Sequence, residues 1–227
     1  MKNTINNVFD QVYLLNLERD TNKLDSMKLK LEKLNIKFKV FKAIDGNQLK
    51  NCKLLRFGNK GAVGYKMSMM QIFKNAKNMN EKKILIFEDD LYFHKEFNIL
   101  FDEFYSKIKQ LSDPFKLIYF GASNNNLINF HDSIKQNKTL YHLKEQPIAG
   151  SYAMGYCSSI FNKILKFEKD ERPLDDILSD TINEHNYIHL PYLTYADISK
   201  PSTTQFNNFK DQILYNQNNY INADNYF

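Results

Sequence analysis

Short apolar runs alternate with amphipathic helical patterns along most of this chain, and that order limits the folds open to it. Residues 12–17 form an apolar, β-prone run typical of a strand that is buried on both faces. A helical pattern follows, with apolar side chains three or four residues apart, and residues 39–41 form a second short strand. A β-α-β unit of this kind favours two parallel strands joined by a helix across one face of the sheet.

The same alternation continues towards the C-terminus. Further helices are predicted over residues 61–76, 97–111, 160–167 and 177–182, and further strands over residues 83–87, 116–121, 149–156 and 187–190. We expect the strand before Pro191 to be the last one. Residues 123–137 are polar and predict a mobile surface loop. The pattern predicts a single α/β domain over residues 1–200, followed by a tail over residues 201–227 whose order the sequence leaves open.

Composition excludes several classes of protein. The chain has 227 residues, of which 43% are apolar, enough for one substantial core. The net charge of +5 comes mainly from scattered lysines rather than from a basic stripe, so we expect no nucleic-acid partner. The Lys-rich surface leaves peripheral contact with an anionic membrane face open. Two cysteines without CxxC spacing indicate neither a disulfide framework nor a zinc site.

No signal peptide and no transmembrane run is visible in the sequence. The N-terminal ten residues are polar and rich in asparagine, and no apolar run approaches the roughly 20 residues that a spanning helix needs. We therefore expect a soluble, cytoplasmic protein. Its oligomeric state cannot be read from the sequence.

Three consecutive carboxylates end the clearest apolar strand of the chain. Glu88 and Asp90 are two positions apart, so an extended backbone places them on one side and Asp89 on the other. Because a buried strand avoids unpaired charge, a cation is expected beside them. Mg²⁺ and Mn²⁺ prefer oxygen ligands and leave coordination positions for diphosphate oxygens. The triplet therefore indicates a divalent-metal site; the alternative is that these side chains cap the next helix or pair with lysines.

His189 is a candidate for one further metal ligand, although a lone histidine in a terminal strand is more often structural. A metal-dependent nucleotidyltransferase would also use carboxylates at strand ends. That class normally shows a glycine-rich phosphate loop, and residues 58–64 do not have the P-loop spacing.

Four blocks of the sequence resemble glycosyltransferase family 25, and they occur in the order found in that family. The blocks are residues 12–19 (VYLLNLER) with 38–46, residues 61–68 (GAVGYKMS), residues 84–90 (ILIFEDD) with 118–121, and residues 150–156 (GSYAMGY) with 173–175 (PLD). Together they span most of residues 11–200. The resemblance implies a GT-A-type, Rossmann-like fold with a central, mostly parallel sheet flanked by helices. It also implies a nucleotide-sugar donor, Mn²⁺ or Mg²⁺, and inversion at the anomeric carbon.

Carried over by position, the family's metal and diphosphate motif falls on Glu88 and Asp90, with Asp89 as an orienting neighbour. Donor-nucleotide contacts fall on four positions. These are Asn16, Arg19, Asp45 and Ser68. An ordinary Asp-Gly turn explains Asp45 equally well, and Arg19 could be a surface cation.

An inverting transfer needs a base that takes the proton of the acceptor hydroxyl. Asp175 is the candidate and Asp176 the alternate, although either could simply cap the helix that follows Pro173. The chain departs from the family in two places: Met69 stands where the family commonly has histidine, and Lys23 where arginine is frequent.

The sequence therefore predicts an inverting hexosyltransferase that moves galactose or glucose from a UDP-sugar to a hydroxyl. The acceptor could be a glycan, a lipid-linked saccharide such as a lipooligosaccharide, or a protein. The alternative is a catalytically silent relative that binds a nucleotide-sugar or a glycan as a partner module. Two features motivate this alternative: the small size of the chain, and Met69, because a thioether donates no hydrogen bond.

Overall fold

A computed structural model describes residues 2–50, 53, 59–111, 115–122, 141–142, 150–182, 184–197 and 223–227. The helices are α1 (Ile5–Val8), α2 (Thr21–Lys33), α3 (Lys60–Asn78), α4 (Phe97–Ile108), α5 (Phe161–Leu165) and α6 (Leu174–Thr181). The strands are β1 (Gln11–Asn16), β2 (Lys39–Lys42), β3 (Lys83–Glu88), β4 (Leu91–Phe93), β5 (Leu117–Tyr119), β6 (Tyr141–His142), β7 (Ala153–Cys157), β8 (Asn186–Ile188) and β9 (Thr194–Ala196). The predicted loop over residues 123–137 lies outside the described residues.

Seven of the described strands form one sheet, in the order β2-β1-β3-β7-β5-β8-β6. Strand β1 is parallel to both β2 and β3, and β5 is parallel to β8. Strand β7 lies between β3 and β5 and is antiparallel to both, and β6 is antiparallel to β8. Five of these seven strands therefore run in one direction. The prediction of an α/β domain with a mostly parallel sheet flanked by helices is confirmed.

Helices cover both faces of the sheet because alternate side chains of its strands point to opposite sides. Tyr13 and Leu15 of β1 pack with α3, α5 and α6 in one core cluster. Val12 and Leu14 pack with α1, α2 and α4 in the other. Leu31 of α2 is fully buried in the second cluster, and burial of such a side chain stabilises the fold by about 1.5–3 kcal/mol.

The chain does not end its strands before Pro191, so that prediction is wrong. Strand β9 follows Pro191 and pairs antiparallel with β4, the strand that comes directly after the acidic triplet. The last residues also return to β4, where the backbone N–H and C=O of Phe227 exchange hydrogen bonds of 3.0 Å with Phe93. A three-residue strand such as β9 is too short to show a period in the sequence, and pairing with β4 stabilises it instead.

Helix α3 approaches the loop after β2 so closely that only glycine fits at two contact positions. A Cβ atom on Gly64 would lie 2.3 Å from the carbonyl oxygen of Ile44 and 2.5 Å from the amide nitrogen of Gly46. A Cβ atom on Gly46 would in turn overlap the carbonyl group of Lys60. The contact holds the 3₁₀ turn Gly46–Gln48 against the first half of α3.

Replacement of Gly64 by alanine is expected to destabilise the protein by about 1–3 kcal/mol, because the added methyl group overlaps backbone atoms that cannot rotate away. Chemical denaturation with the free energy of unfolding as the readout measures this. Met67→Ala is the control, since Met67 lies on the same helix with its side chain exposed and should change the free energy by less than about 0.5 kcal/mol. Equal stability of Gly64→Ala and the parent protein would contradict the close packing.

Candidate functional site

A cleft opens at the carboxyl ends of β1, β2 and β3, where loops that leave parallel strands meet at one edge of the sheet. It holds about 580 Å³ of space, part of it open to solvent. Among the described residues its lining has five carboxylates and two cationic side chains. The carboxylates are those of Asp20, Asp45, Glu88, Asp89 and Asp90, and the cationic side chains are those of Arg19 and Lys23. The cleft is therefore locally acidic in a chain whose net charge is +5.

Glu88 is the last residue of β3 and belongs to the face of the sheet that carries α3. Burial raises the pKa of its carboxyl group well above the ordinary value, and the nearby charges of Asp90, Asp89 and Asp175 raise it further. Ionised Glu88 is thus unfavourable beside three other carboxylates unless a cation joins them.

Asp89 and Asp90 follow the end of β3 in a bend, so the strict alternation of an extended strand does not reach them. Both contact one lysine on α2: the Nζ of Lys23 lies 3.0 Å from Oδ2 of Asp90 and 3.5 Å from Oδ1 of Asp89. Asn16, the last residue of β1, donates a 2.6 Å hydrogen bond from Nδ2 to Oδ2 of Asp89. Asn16 therefore orients Asp89, and Lys23 holds the two aspartates together.

Asp45 caps a turn, as the Asp-Gly pattern predicts, and also lines the cleft, whereas its contact with a nucleotide stays a prediction. One of its carboxylate oxygens accepts a 3.0 Å hydrogen bond from the backbone N–H of Asn47. The other forms an ion pair with Arg19, whose Nε also lies 3.9 Å from Asp20. The pair joins the loop after β1 to the loop after β2.

Asp175 lies in the first turn of α6 and comes close to the acidic cluster. Its Oδ2 accepts a 3.0 Å hydrogen bond from the backbone N–H of Gly150, and the Ser151 side chain donates to the same carboxylate. Burial raises the pKa of Asp175, and these hydrogen bonds act against that shift. Asp175 is among the charges that raise the pKa of Glu88, whereas its neighbour Asp176 is exposed to solvent.

Tyr65 links the cleft lining to this second group and was not predicted from the sequence. It lies on α3, and its hydroxyl donates to the Ser151 side-chain oxygen at 2.8 Å and approaches the Ser151 carbonyl oxygen at 3.0 Å. Ser151 in turn donates to Asp175. The only signal in the sequence is an aromatic residue inside the glycine-containing block of residues 61–68.

Two predicted site residues, Ser68 and His189, do not line the cleft. Ser68 is fully buried; its hydroxyl donates to the carbonyl oxygen of Gly64 at 2.7 Å and accepts from the amide of Ile44 at 2.8 Å. His189 is fully buried against the Phe104 ring of α4, with ring centroids 5.3 Å apart. Burial lowers the pKa of His189 to about 4. The structure therefore does not bring either side chain to the acidic cluster.

Met69 of α3, which stands where the resembled family commonly has histidine, is also fully buried and belongs to the core cluster between α3 and the sheet. Within the described part of the chain, no group of three or more histidine, cysteine, aspartate or glutamate side chains is arranged to hold a metal ion.

The described helices include none that is long and apolar enough to cross a membrane.

Comparison with known proteins identifies relatives of this chain. The model of glycosyltransferase family 25 (LPS biosynthesis protein) matches residues 9–166, which is more than half of the chain. Procollagen galactosyltransferase 2 of Homo sapiens is 25% identical over 129 residues, covering 50% of this chain and 21% of that protein. A probable inactive glycosyltransferase 25 family member 3 of Bos taurus is 24% identical over 134 residues, covering 52% of this chain and 22% of that protein.

The match thus spans only about a fifth of the length of these two relatives. Among solved structures, a glycosyltransferase involved in the glycosylation of the major capsid of PBCV-1 is similar with a TM-score of 0.49 and 9% identity. That similarity covers 90% of this chain and 97% of the other.

Proposed function

The chain belongs to glycosyltransferase family 25, and on that premise we propose that it is an inverting, metal-dependent hexosyltransferase. The donor is a UDP-sugar carrying galactose or glucose, and the sugar passes to an acceptor hydroxyl. The observation that carries the proposal is the acidic cleft at the carboxyl ends of β1, β2 and β3, which has five carboxylates against two cations among its described residues.

Charge balance supports a divalent cation together with the donor. A diphosphate is an anion, and a cleft with an excess of carboxylates repels it until a cation enters. Glu88 and Asp90 offer the oxygen ligands that Mg²⁺ and Mn²⁺ prefer, and two carboxylates leave positions for the oxygens of the diphosphate. The excess of carboxylates over cations in the described lining of the cleft suits such an ion, and Glu88 and Asp90 would hold it. When bound, the ion neutralises the charge that develops on the leaving diphosphate.

Around that centre the side chains of the protein have separate tasks. Asn16 keeps Asp89 in one orientation through its 2.6 Å hydrogen bond. Arg19 and Asp45 form an ion pair between the two loops and line the cleft, and their proposed task is to contact the nucleotide. The comparison supports galactose in particular, since a human relative is a procollagen galactosyltransferase.

Asp175 is the proposed base that takes the proton of the acceptor hydroxyl. Its carboxylate is held by Gly150 and Ser151, and it lies near Glu88, so a hydroxyl beside it would be close to the donor site. The raised pKa that burial produces makes Asp175 a stronger base than an exposed aspartate. The acceptor is a glycan, a lipid-linked saccharide or a protein side chain.

Two observations favour a second candidate function, that of a relative that binds a nucleotide-sugar or glycan without transferring the sugar. The bovine relative is named a probable inactive family member. Met69, moreover, is buried in the core where the family commonly has a histidine.

A screen of purified protein against a panel of nucleotide-sugars, with and without Mn²⁺, tests the proposal through the UDP that is released. We expect release from UDP-galactose or UDP-glucose that requires Mn²⁺ and increases when a suitable acceptor is added. Release that EDTA leaves unchanged would contradict the metal requirement. If no nucleotide-sugar of the panel releases UDP while the protein still binds UDP, the second candidate function, binding without transfer, is favoured.

A further inference from the structure

Lys23 is the basic side chain closest to the acidic triplet among the described residues. It lies in the first turn of α2, its side chain is 25% exposed, and it contacts Asp90 at 3.0 Å and Asp89 at 3.5 Å. No nearby cation duplicates these contacts in the described residues. Arg19 pairs with Asp45 and Asp20, and Lys30 donates to the carbonyl oxygen of Leu91 at 2.7 Å.

We infer that Lys23 is an exchangeable counter-ion. In the free protein its ammonium group neutralises Asp89 and Asp90; when a divalent cation binds at Asp90, the ammonium group leaves that carboxylate and binds the diphosphate of the donor. This inference rests on the proposed function, because it assigns a residue to the cation and the donor of that same site.

Electrostatics explains why the exchange should occur. Two cations that share one carboxylate repel each other, so a divalent ion at Asp90 weakens the contact between Asp90 and Lys23. Lysine is a compact point charge on a flexible four-carbon stem, and it can follow the charge without leaving the cleft. The diphosphate of the donor then provides a new anionic partner for the ammonium group of Lys23. Lys23 lines the same cleft as Glu88 and Asp90, so the movement that is required is short.

The exchange predicts opposite effects of one substitution on two ligands. Lys23→Met removes the competing charge, so Mn²⁺ alone should bind more tightly by about threefold to tenfold. UDP should bind more weakly, by about tenfold at saturating Mn²⁺, because its diphosphate loses a charged partner. A merely structural role of Lys23 would weaken both ligands together.

The test measures free Mn²⁺ by electron paramagnetic resonance and UDP binding by calorimetry, on the full chain. Lys23→Arg keeps the positive charge and should leave Mn²⁺ affinity below that of Lys23→Met. The matched control is Lys28→Met, since Lys28 lies on the same helix and pairs with exposed Asp25 at 3.0 Å. We expect this control to match the parent protein for both ligands.

Three outcomes would overturn the inference. Mn²⁺ affinity of Lys23→Met that is unchanged or lower would show that Lys23 does not compete with the cation. Unchanged affinity for UDP would show that Lys23 does not receive the diphosphate. If the parent protein binds neither Mn²⁺ nor UDP, the proposed function fails first, and this inference fails with it.

Discussion

Replacement of Asp90 by asparagine is expected to reduce sugar transfer at least a hundredfold while the fold is retained. The substitution keeps the shape of the side chain and removes the negative charge that Glu88 and Asp90 would together offer to the cation. It also removes the ion pair with Lys23 and the repulsion between Asp90 and Glu88, two effects on stability that oppose each other. Initial rates of UDP release, with circular dichroism to check the fold, measure the result.

Asp25→Asn is the matched control for this experiment. Asp25 lies on α2, is exposed and pairs with Lys28 on the same helix, so its loss should change the rate by less than about twofold. Transfer by Asp90→Asn at the rate of the parent protein would exclude the proposed role of Asp90. A variant that loses both its transfer activity and its circular dichroism signal would point instead to a structural role for this carboxylate.

Replacement of Asp175 by asparagine is the second large effect that we expect, a loss of about 10²–10⁴ in the rate of transfer. An amide cannot take the proton of the acceptor hydroxyl, but its oxygen still accepts the hydrogen bond from Gly150. UDP affinity should stay within about twofold, because Asp175 is not among the residues that line the nucleotide cleft. Single-turnover rates and UDP binding, measured on the same sample, separate the two effects.

The neighbouring residue provides the control and also tests the alternative assignment. Asp176 is exposed and lies in the same helical turn, so Asp176→Asn shares any effect on the helix N-terminus without changing the half-buried carboxylate of Asp175. We expect its rate to fall by less than about threefold. If Asp176→Asn abolishes transfer and Asp175→Asn does not, the base is Asp176 and the hydrogen bonds of Asp175 are structural.

Local patterns in the sequence were sufficient to predict the first β-α-β unit of the fold, although they did not predict α1 or β4. The β-α-β unit of β1, α2 and β2 follows from the spacing of apolar side chains alone. A continuous apolar run indicates a buried strand, and apolar residues three or four positions apart indicate the buried face of a helix. The acidic triplet at the end of β3 was likewise visible, since charge at the end of an apolar strand has no packing explanation.

Other features depended on contacts between distant parts of the chain, and the local spacing of apolar residues carries no information about such contacts. Strand β7 lies antiparallel between β3 and β5, and β9 pairs with β4, because backbone groups at those edges need partners. The same folding buries Ser68 and His189, so residue type alone did not reveal which polar side chains reach the cleft.

The sequence by itself determined the alternation of strands and helices, the family, and the position of Glu88, Asp89 and Asp90 at a strand end. Only the tertiary structure decided that Lys23 contacts two of those carboxylates and that Asp175 lies near the third. The physical reason is that the local spacing of apolar residues indicates which side chains are buried, whereas the distance between two charges depends on how whole helices pack across the sheet.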